Sequence, residues 1–316
     1  MRVFWIGNSV TDALKYGTWK ETAEADGRSI TYGRHMVPGA PISWIWENPG
    51  GGISEEPYGK WNTALREYEW DVVSLQPYDR SLDENAEADV PNIDEFMQYT
   101  KPKSPDVQFV LFAHYPRQDF INASGGYQQH WDKPYITWGT GLNETREFYQ
   151  LVIEKVRALR TDMKPMVLVP VGCVYYELDK KMKAGQFPGK TDGIVAAAYD
   201  DGIHQNDFGS YIVGCTYYAT MFKTNPTGFS GSRYGVSDDQ AAIIQQTVWD
   251  VVRAEPLAGV GESTRLTAPL QSAPIRAAAP ASTMFDLTGR TLSQVHPRSL
   301  QVFLINKGSV IFRNYR

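Results

Sequence analysis

The chain has 316 residues, 42% hydrophobic, 13% aromatic and 21% charged, with a formal net charge of -5. This length holds one large domain, with or without an appendage, and the composition is too apolar for a disordered chain and too poor in cysteine for a disulfide scaffold. No run of about 18 uncharged apolar residues is present, so no membrane span is expected, and the acidic balance argues against general nucleic-acid binding.

Arg2–Ile6 is a short apolar run stopped by Gly7-Asn8, which reads as a buried strand. Residues 11–25 read as a helix, 29–36 as a second strand, 42–47 as a helix and 71–75 as a third strand. A helix over 86–100, strands over 107–113 and 166–171, and helices over 142–161, 207–222 and 238–254 complete the series. Apolar strands alternating with helices predict a parallel sheet covered on both faces, with its site at the carboxyl ends of the strands.

Beyond Ala254 the composition changes. Residues 255–282 are rich in Ala, Pro and Ser and read as a linker. Residues 283–316 suggest a small β-module, with short strands over 283–287, 299–305 and 309–312 and turns at Gly289 and Lys307-Gly308. Residues 256–316 carry seven Lys+Arg and two Asp+Glu, about +5, whereas the rest carries 24 and 34, about -10.

Two segments could carry chemistry. Gly7-Asn8-Ser9-Val10-Thr11-Asp12 follows the first strand directly, so Ser9 stands on a strand-to-helix turn at the sheet's carboxyl edge. It fits a nucleophile and equally a plain helix N-cap. In Asp201-Gly202-Ile203-His204, a carboxylate three residues before a histidine can hold one imidazole nitrogen while the other faces a nucleophile.

Ser9 in Gly-Asn-Ser-Val-Thr-Asp, paired with Asp201-Gly-Ile-His204 near the domain's end, resembles the SGNH (GDSL-type) hydrolase superfamily over residues 2–254. The resemblance implies a flavodoxin-like three-layer α/β/α sandwich with a central parallel five-stranded sheet, a catalytic domain over 1–254, and the catalytic residues Ser9, Asp201 and His204. It also implies an oxyanion hole built from Ser9, from Gly39 in Val37-Pro38-Gly39-Ala40-Pro41, and from a third donor after the third strand. There the family's Gly-x-Asn-Asp is replaced by Ser74-Leu75-Gln76-Pro77-Tyr78-Asp79. Either Gln76 supplies the amide, as in carbohydrate O-acetylesterase branches, or the hole has two backbone donors.

The implied chemistry is hydrolysis of a small acyl ester, acetyl above all, on a carbohydrate, through an acyl-enzyme and without metal or cofactor. A lipase- or thioesterase-type hydrolase and a non-catalytic carbohydrate-binding protein are the alternatives. The 9 Trp, 18 Tyr and 13 Phe fit core packing and also sugar platforms. Asn8, Trp44, Tyr78, His114 and Trp131 are candidate substrate contacts, with Trp46 a further platform and residues 125–141, which include His130 and Asp132, a long loop or lid. No zinc-binding or nucleotide-binding pattern is present.

Met1 leads straight into a strand, so no signal peptide is visible. The tail, Met284–Arg290 followed by Val302–Ile305 and the basic end Arg313–Arg316, resembles the C-terminal sorting modules of secreted bacterial enzymes. This implies a secreted or periplasmic enzyme whose tail engages a secretion apparatus, with the cytoplasm as the alternative. An accessory hairpin is the simpler reading of the same residues. Cys173 and Cys215 fit either a pair or two free thiols.

Overall fold

A computed structural model describes residues 1–78, 82, 89–135, 144–261, 301–306 and 309–314. The expected strands over 283–287 and the turns at Gly289 and Lys307-Gly308 lie outside these residues.

The core begins with β1 (Arg2–Gly7), buried from Val3 onward. A 3-10 turn (Thr11–Leu14) and α1 (Tyr16–Ala25) follow, with Lys15 between them in the left-handed region at φ 52°. The helix expected over 11–25 is therefore broken at Lys15. Next come β2 (Thr31–Met36), α2 (Ile42–Glu47), β3 (Ile53–Ser54), α3 (Trp61–Glu67), β4 (Val72–Leu75) and α4 (Asp89–Thr100). The middle of the chain forms β5 (Gln108–Phe112), α5 (Gln118–Ser124), α6 (Tyr127–Trp131), α7 (Arg146–Leu159) and β6 (Val167–Val169). Helices α8 (Val171–Lys183), α9 (Ile194–Ala198), α10 (Asp207–Phe222) and α11 (Asp238–Ala254) close the body.

The sheet runs β3-β2-β1-β4-β5-β6. Its four strand pairings outside β3 are parallel, from β2 through β1, β4 and β5 to β6. Counting the parallel strands alone gives the order 2-1-3-4-5, the flavodoxin-like winding, whose switch point lies between β1 and β4. The short antiparallel β3 adds a sixth strand to the expected five by pairing Ile53 with Met36 and Ser54 with His35.

Helices α8, α9, α10 and α11 pack on one another, and α1 joins them where Trp19 Nε1 donates to Gly214 O at 3.0 Å. Helices α2, α3, α4 and α7 form the other group. Buried side chains line almost the whole of α10, and Tyr217 on it bonds Ser74 of β4 at 2.8 Å, tying this layer to the sheet. An all-round apolar helix is what a layer's centre requires.

Two expectations change here. The expected strand over 166–171 ends at Val169, because Pro170 takes the N-cap position and the apolar run after it coils into α8. The body also continues past Ala254 as a 3-10 turn (Pro256–Ala258), whose Leu257 carbonyl accepts from Arg157 Nη2 at 3.1 Å. The chain divides into Met1–Ser263 and Thr264–Arg316. Within the second unit, β7 (Gln301–Asn306) and β8 (Ser309–Asn314) form an antiparallel hairpin. No described helix is long and apolar enough to cross a membrane.

Candidate active site

Parallel strands that reverse their winding leave a crevice at their carboxyl ends. Ser9 follows β1 there, Gly39 follows β2 and Gln76 follows β4. The fourth component arrives from the far end of the body. Residues 199–205 form a tight loop, closed by a bridge between Tyr199 and Gln205 and by Asp200 N donating to His204 O at 2.9 Å. Gln118 N donates to Gly202 O at 2.9 Å and pins the loop to α5, and the Asn206 side chain caps α10 by accepting from Gly209 N at 3.0 Å.

This loop carries His204 to the serine. His204 Nε2 lies 2.9 Å from Ser9 Oγ, and Nδ1 lies 2.8 Å from Asp201 Oδ2. Asp201 Oδ1 accepts from the backbone N–H groups of Ile203 and His204, both at 2.7 Å. The hydrogen bond from the His204 ring, reinforced by these two backbone donors, pulls the Asp201 carboxyl down to about 2. An ionised carboxylate only accepts, so Nδ1 carries the imidazole proton and Nε2 of the neutral ring faces the hydroxyl as an acceptor. Ser9, His204 and Asp201 are thus brought together in the order that the spacing suggested.

Among the described residues, the backbone N–H groups of Ser9 and Gly39 have no intramolecular partner. Gly39 is exposed at φ 66°, with no atom within 4 Å of where a Cβ would stand. Glycine suits this turn because its backbone is left-handed.

Gln76 is 3% exposed, and its Nε2 donates to Asn8 Oδ1 at 3.0 Å. Asn8 is likewise 3% exposed, with Oδ1 accepting from Val10 N at 3.0 Å and Nδ2 donating to Ala40 O at 3.2 Å, so its amide is bound within the protein. Sequence reading missed this role, although Asn accepting from the N–H two residues on is a turn signal that Gly7-Asn8 carries.

Two further candidate contacts are core residues. The His114 ring is buried against Phe112, Tyr115 and Tyr149, its Nδ1 meets Tyr115 O at 2.8 Å, and burial pushes it down to about 4. Trp131 is 1% exposed and lies so close over Gly172 that a Cβ there would stand 2.0 Å from the ring. It belongs to α6, so the stretch 125–141 is helical over Tyr127–Trp131, and residues 136–141 lie outside the described residues. His130 is buried as well, bonded to Ser124 Oγ at 3.0 Å and Glu144 O at 3.1 Å.

Trp46 stacks on Trp61 with centroids 4.6 Å apart and is packing. Trp44 is 41% exposed and leans on Gly51, on the helix that follows the Gly39 turn. Tyr78 is half-buried, and its N–H donates to the Asp89 carboxylate at 3.1 Å. Cys173 and Cys215 are both free and buried. A cleft of about 490 Å³ opens beside the histidine loop, lined by Arg117, Gln118, Asp119, Asn122, Gly202 and Ile203. Arg117 and Asp119 neutralise each other there at 2.7 Å. A second cavity, about 350 Å³ beside Cys173 and Glu255, lies among α7, α8 and α11 and shares no residue with the triad.

No protein family matches the sequence, and no curated protein does. Among solved structures, the chain is similar to a DUF4886 family protein from Bacteroides uniformis, with TM-score 0.54, 15% identity, and coverage of 80% of this chain and 94% of that one. The shared property is the fold. Matches also include the lipase/acylhydrolase from Enterococcus faecalis (TM-score 0.38, 16% identity, 68% and 93% covered). A carbohydrate esterase family 2 enzyme from Corynascus thermopiles gives TM-score 0.30 at 14% identity, with 54% and 56% covered.

Proposed function

We propose that the protein is a serine esterase of the SGNH type that removes small acyl groups, acetyl above all, from carbohydrate. The observation that carries this reading is the continuous hydrogen-bond chain from Ser9 Oγ through His204 to Asp201 at the switch-point crevice.

Ser9 Oγ attacks the ester carbonyl carbon while its proton passes to His204 Nε2. Asp201 keeps the ring in the tautomer that can accept that proton and stabilises the resulting imidazolium. The tetrahedral oxyanion is held by the open N–H groups of Ser9 and Gly39. Its collapse breaks the carbon–oxygen bond to the alcohol, which leaves with the proton from Nε2. Water then attacks the acyl-Ser9 carbonyl, His204 takes the water's proton and returns it to Ser9 Oγ, and the carboxylic acid departs.

The sugar assignment is supported by the cleft beside His204. Its Gln118 and Asn122 amides and the neutralised Arg117–Asp119 pair offer hydrogen bonds to hydroxyls without a net charge. The exposed indole of Trp44 offers a flat apolar face beyond the Gly39 turn. Turnover of acetylated oligosaccharides set against long-chain acyl esters tests it. Preference for the sugar acetates is expected, and efficient hydrolysis of long chains with none of the sugar esters would reassign the enzyme to the lipase type. For the C-terminal unit we infer a sorting module that directs export, on the basis of its basic, hairpin-forming sequence.

A further inference from the structure

The carboxamide of Gln76 closes a set of hydrogen bonds around Asn8. Gln76 Oε1 accepts from the Asn8 backbone N–H at 3.3 Å and from the Thr11 hydroxyl, while Nε2 donates to Asn8 Oδ1. The two donors on Oε1 fix the amide's orientation, because the reverse would set N–H against N–H. With Nδ2 on Ala40 O and Oδ1 on Val10 N, the Asn8 side chain joins the chain ends of β1, β2 and β4.

The residues it holds flank the two open donors. Ser9 stands between Asn8 and Val10, and Gly39 immediately precedes Ala40. Gly7 makes the space. A Cβ there would stand 2.0 Å from Thr11 Oγ1 and 2.9 Å from Gln76 Oε1, so any larger residue would part Thr11 from Gln76.

We propose that Asn8 and Gln76 act as one positioning unit, which aligns the N–H groups of Ser9 and Gly39 for the oxyanion, and that Gln76 is not itself an oxyanion donor. This rests on the esterase reading. Two backbone donors on separate turns stabilise charge only while both point at one atom, and a misplacement of about 1 Å can cost on the order of 100-fold in rate. The Asn8 side chain hydrogen-bonds to both turns, and Gln76 keeps its amide oriented.

A double-mutant cycle reads this directly. With p-nitrophenyl acetate, Asn8→Ala and Gln76→Ala are each expected to lower kcat by roughly 10–100-fold with little change in KM. The double variant is expected to fall no lower than the worse single, because both changes remove the same alignment. Losses that multiply would make Gln76 an independent donor and overturn the proposal, as would a wild-type rate in Asn8→Ala. Thermal melts establish that each variant is folded. Thr11→Val, a near-isosteric change, offers a milder probe, expected to lower kcat alone but to add nothing in a Gln76→Ala background. Additivity there would also overturn it. Labelling of wild-type Ser9 by a fluorophosphonate separates the two levels. If wild type neither labels nor hydrolyses, the esterase reading itself fails, whereas a labelled, active enzyme with multiplying losses removes only the positioning unit.

Discussion

One carboxylate of Asp201 holds His204 twice, through the backbone N–H at 2.7 Å on Oδ1 and through the ring Nδ1 at 2.8 Å on Oδ2. The loop and the imidazole are thereby oriented by the same group, which is why three residues suffice to span them.

Replacement of Asp201 by Asn keeps a polar side chain of the same size but puts a donor against Nδ1. The ring then carries its proton on Nε2 and cannot accept from Ser9. Asp201→Asn is expected to lower kcat by about 10³–10⁴, with the melting temperature nearly unchanged because the carboxylate is exposed. Activity within a few-fold of wild type would show that the tautomer argument is wrong.

Acid should unfold the body before it discharges Asp201. His35, His114 and His130 are buried, and desolvation pushes each down to about 4. His35 shows the cause in detail: Nε2 meets Gly51 O at 2.8 Å and Nδ1 accepts from Trp61 N at 3.3 Å, so the neutral ring is fully used. Between pH 6.5 and 4 the unfolded chain binds these protons and the folded one does not, so stability is lost as pH falls through that window. Each histidine accounts for up to roughly 3 kcal/mol. Melting curves from pH 8 to 4 check this, and a flat profile would contradict it.

Two glycines separate stability from rate. At Gly172 a Cβ would stand 2.0 Å from the Trp131 ring, so Gly172→Ala is expected to cost about 1–3 kcal/mol of stability and leave the kcat of the folded fraction unchanged. Gly7→Ala intrudes on Thr11 and Gln76 and should lower kcat as well. Chemical denaturation alongside kinetics distinguishes them.

Among the described residues, Trp44 is an exposed indole on the helix that follows the Gly39 turn. Trp44→Ala is expected to raise KM for an acetylated oligosaccharide by about 3–10-fold, the loss of one aromatic contact, and by less for p-nitrophenyl acetate. Equal effects on both substrates would remove the indole from sugar binding.

Much of the fold was legible because β1, β4 and β5 are largely apolar runs, as buried parallel strands are. Helix α8 was not: the expected strand ran on to Val171, and no element was expected over the residues after it. The juxtaposition of Ser9, His204 and Asp201 is the one that the resemblance implied, from a serine after β1 and Asp201 three residues before His204. The pairing of Asn8 with Gln76 was not legible, because they are 68 positions apart and their parts follow from which strands lie side by side. Trp131 and His114 were misread for the opposite reason: their residue types suit a binding wall, and burial is a property of the assembled layers.

The central claim is that Ser9 is a nucleophile activated by His204. Pre-steady-state hydrolysis of p-nitrophenyl acetate tests it most directly, in wild type and in Ser9→Ala. Wild type is expected to turn over, with an acyl group recovered on Ser9 by mass spectrometry, and Ser9→Ala to lose activity to the background rate. Equal rates in the two proteins, with no acylated Ser9, would contradict the account.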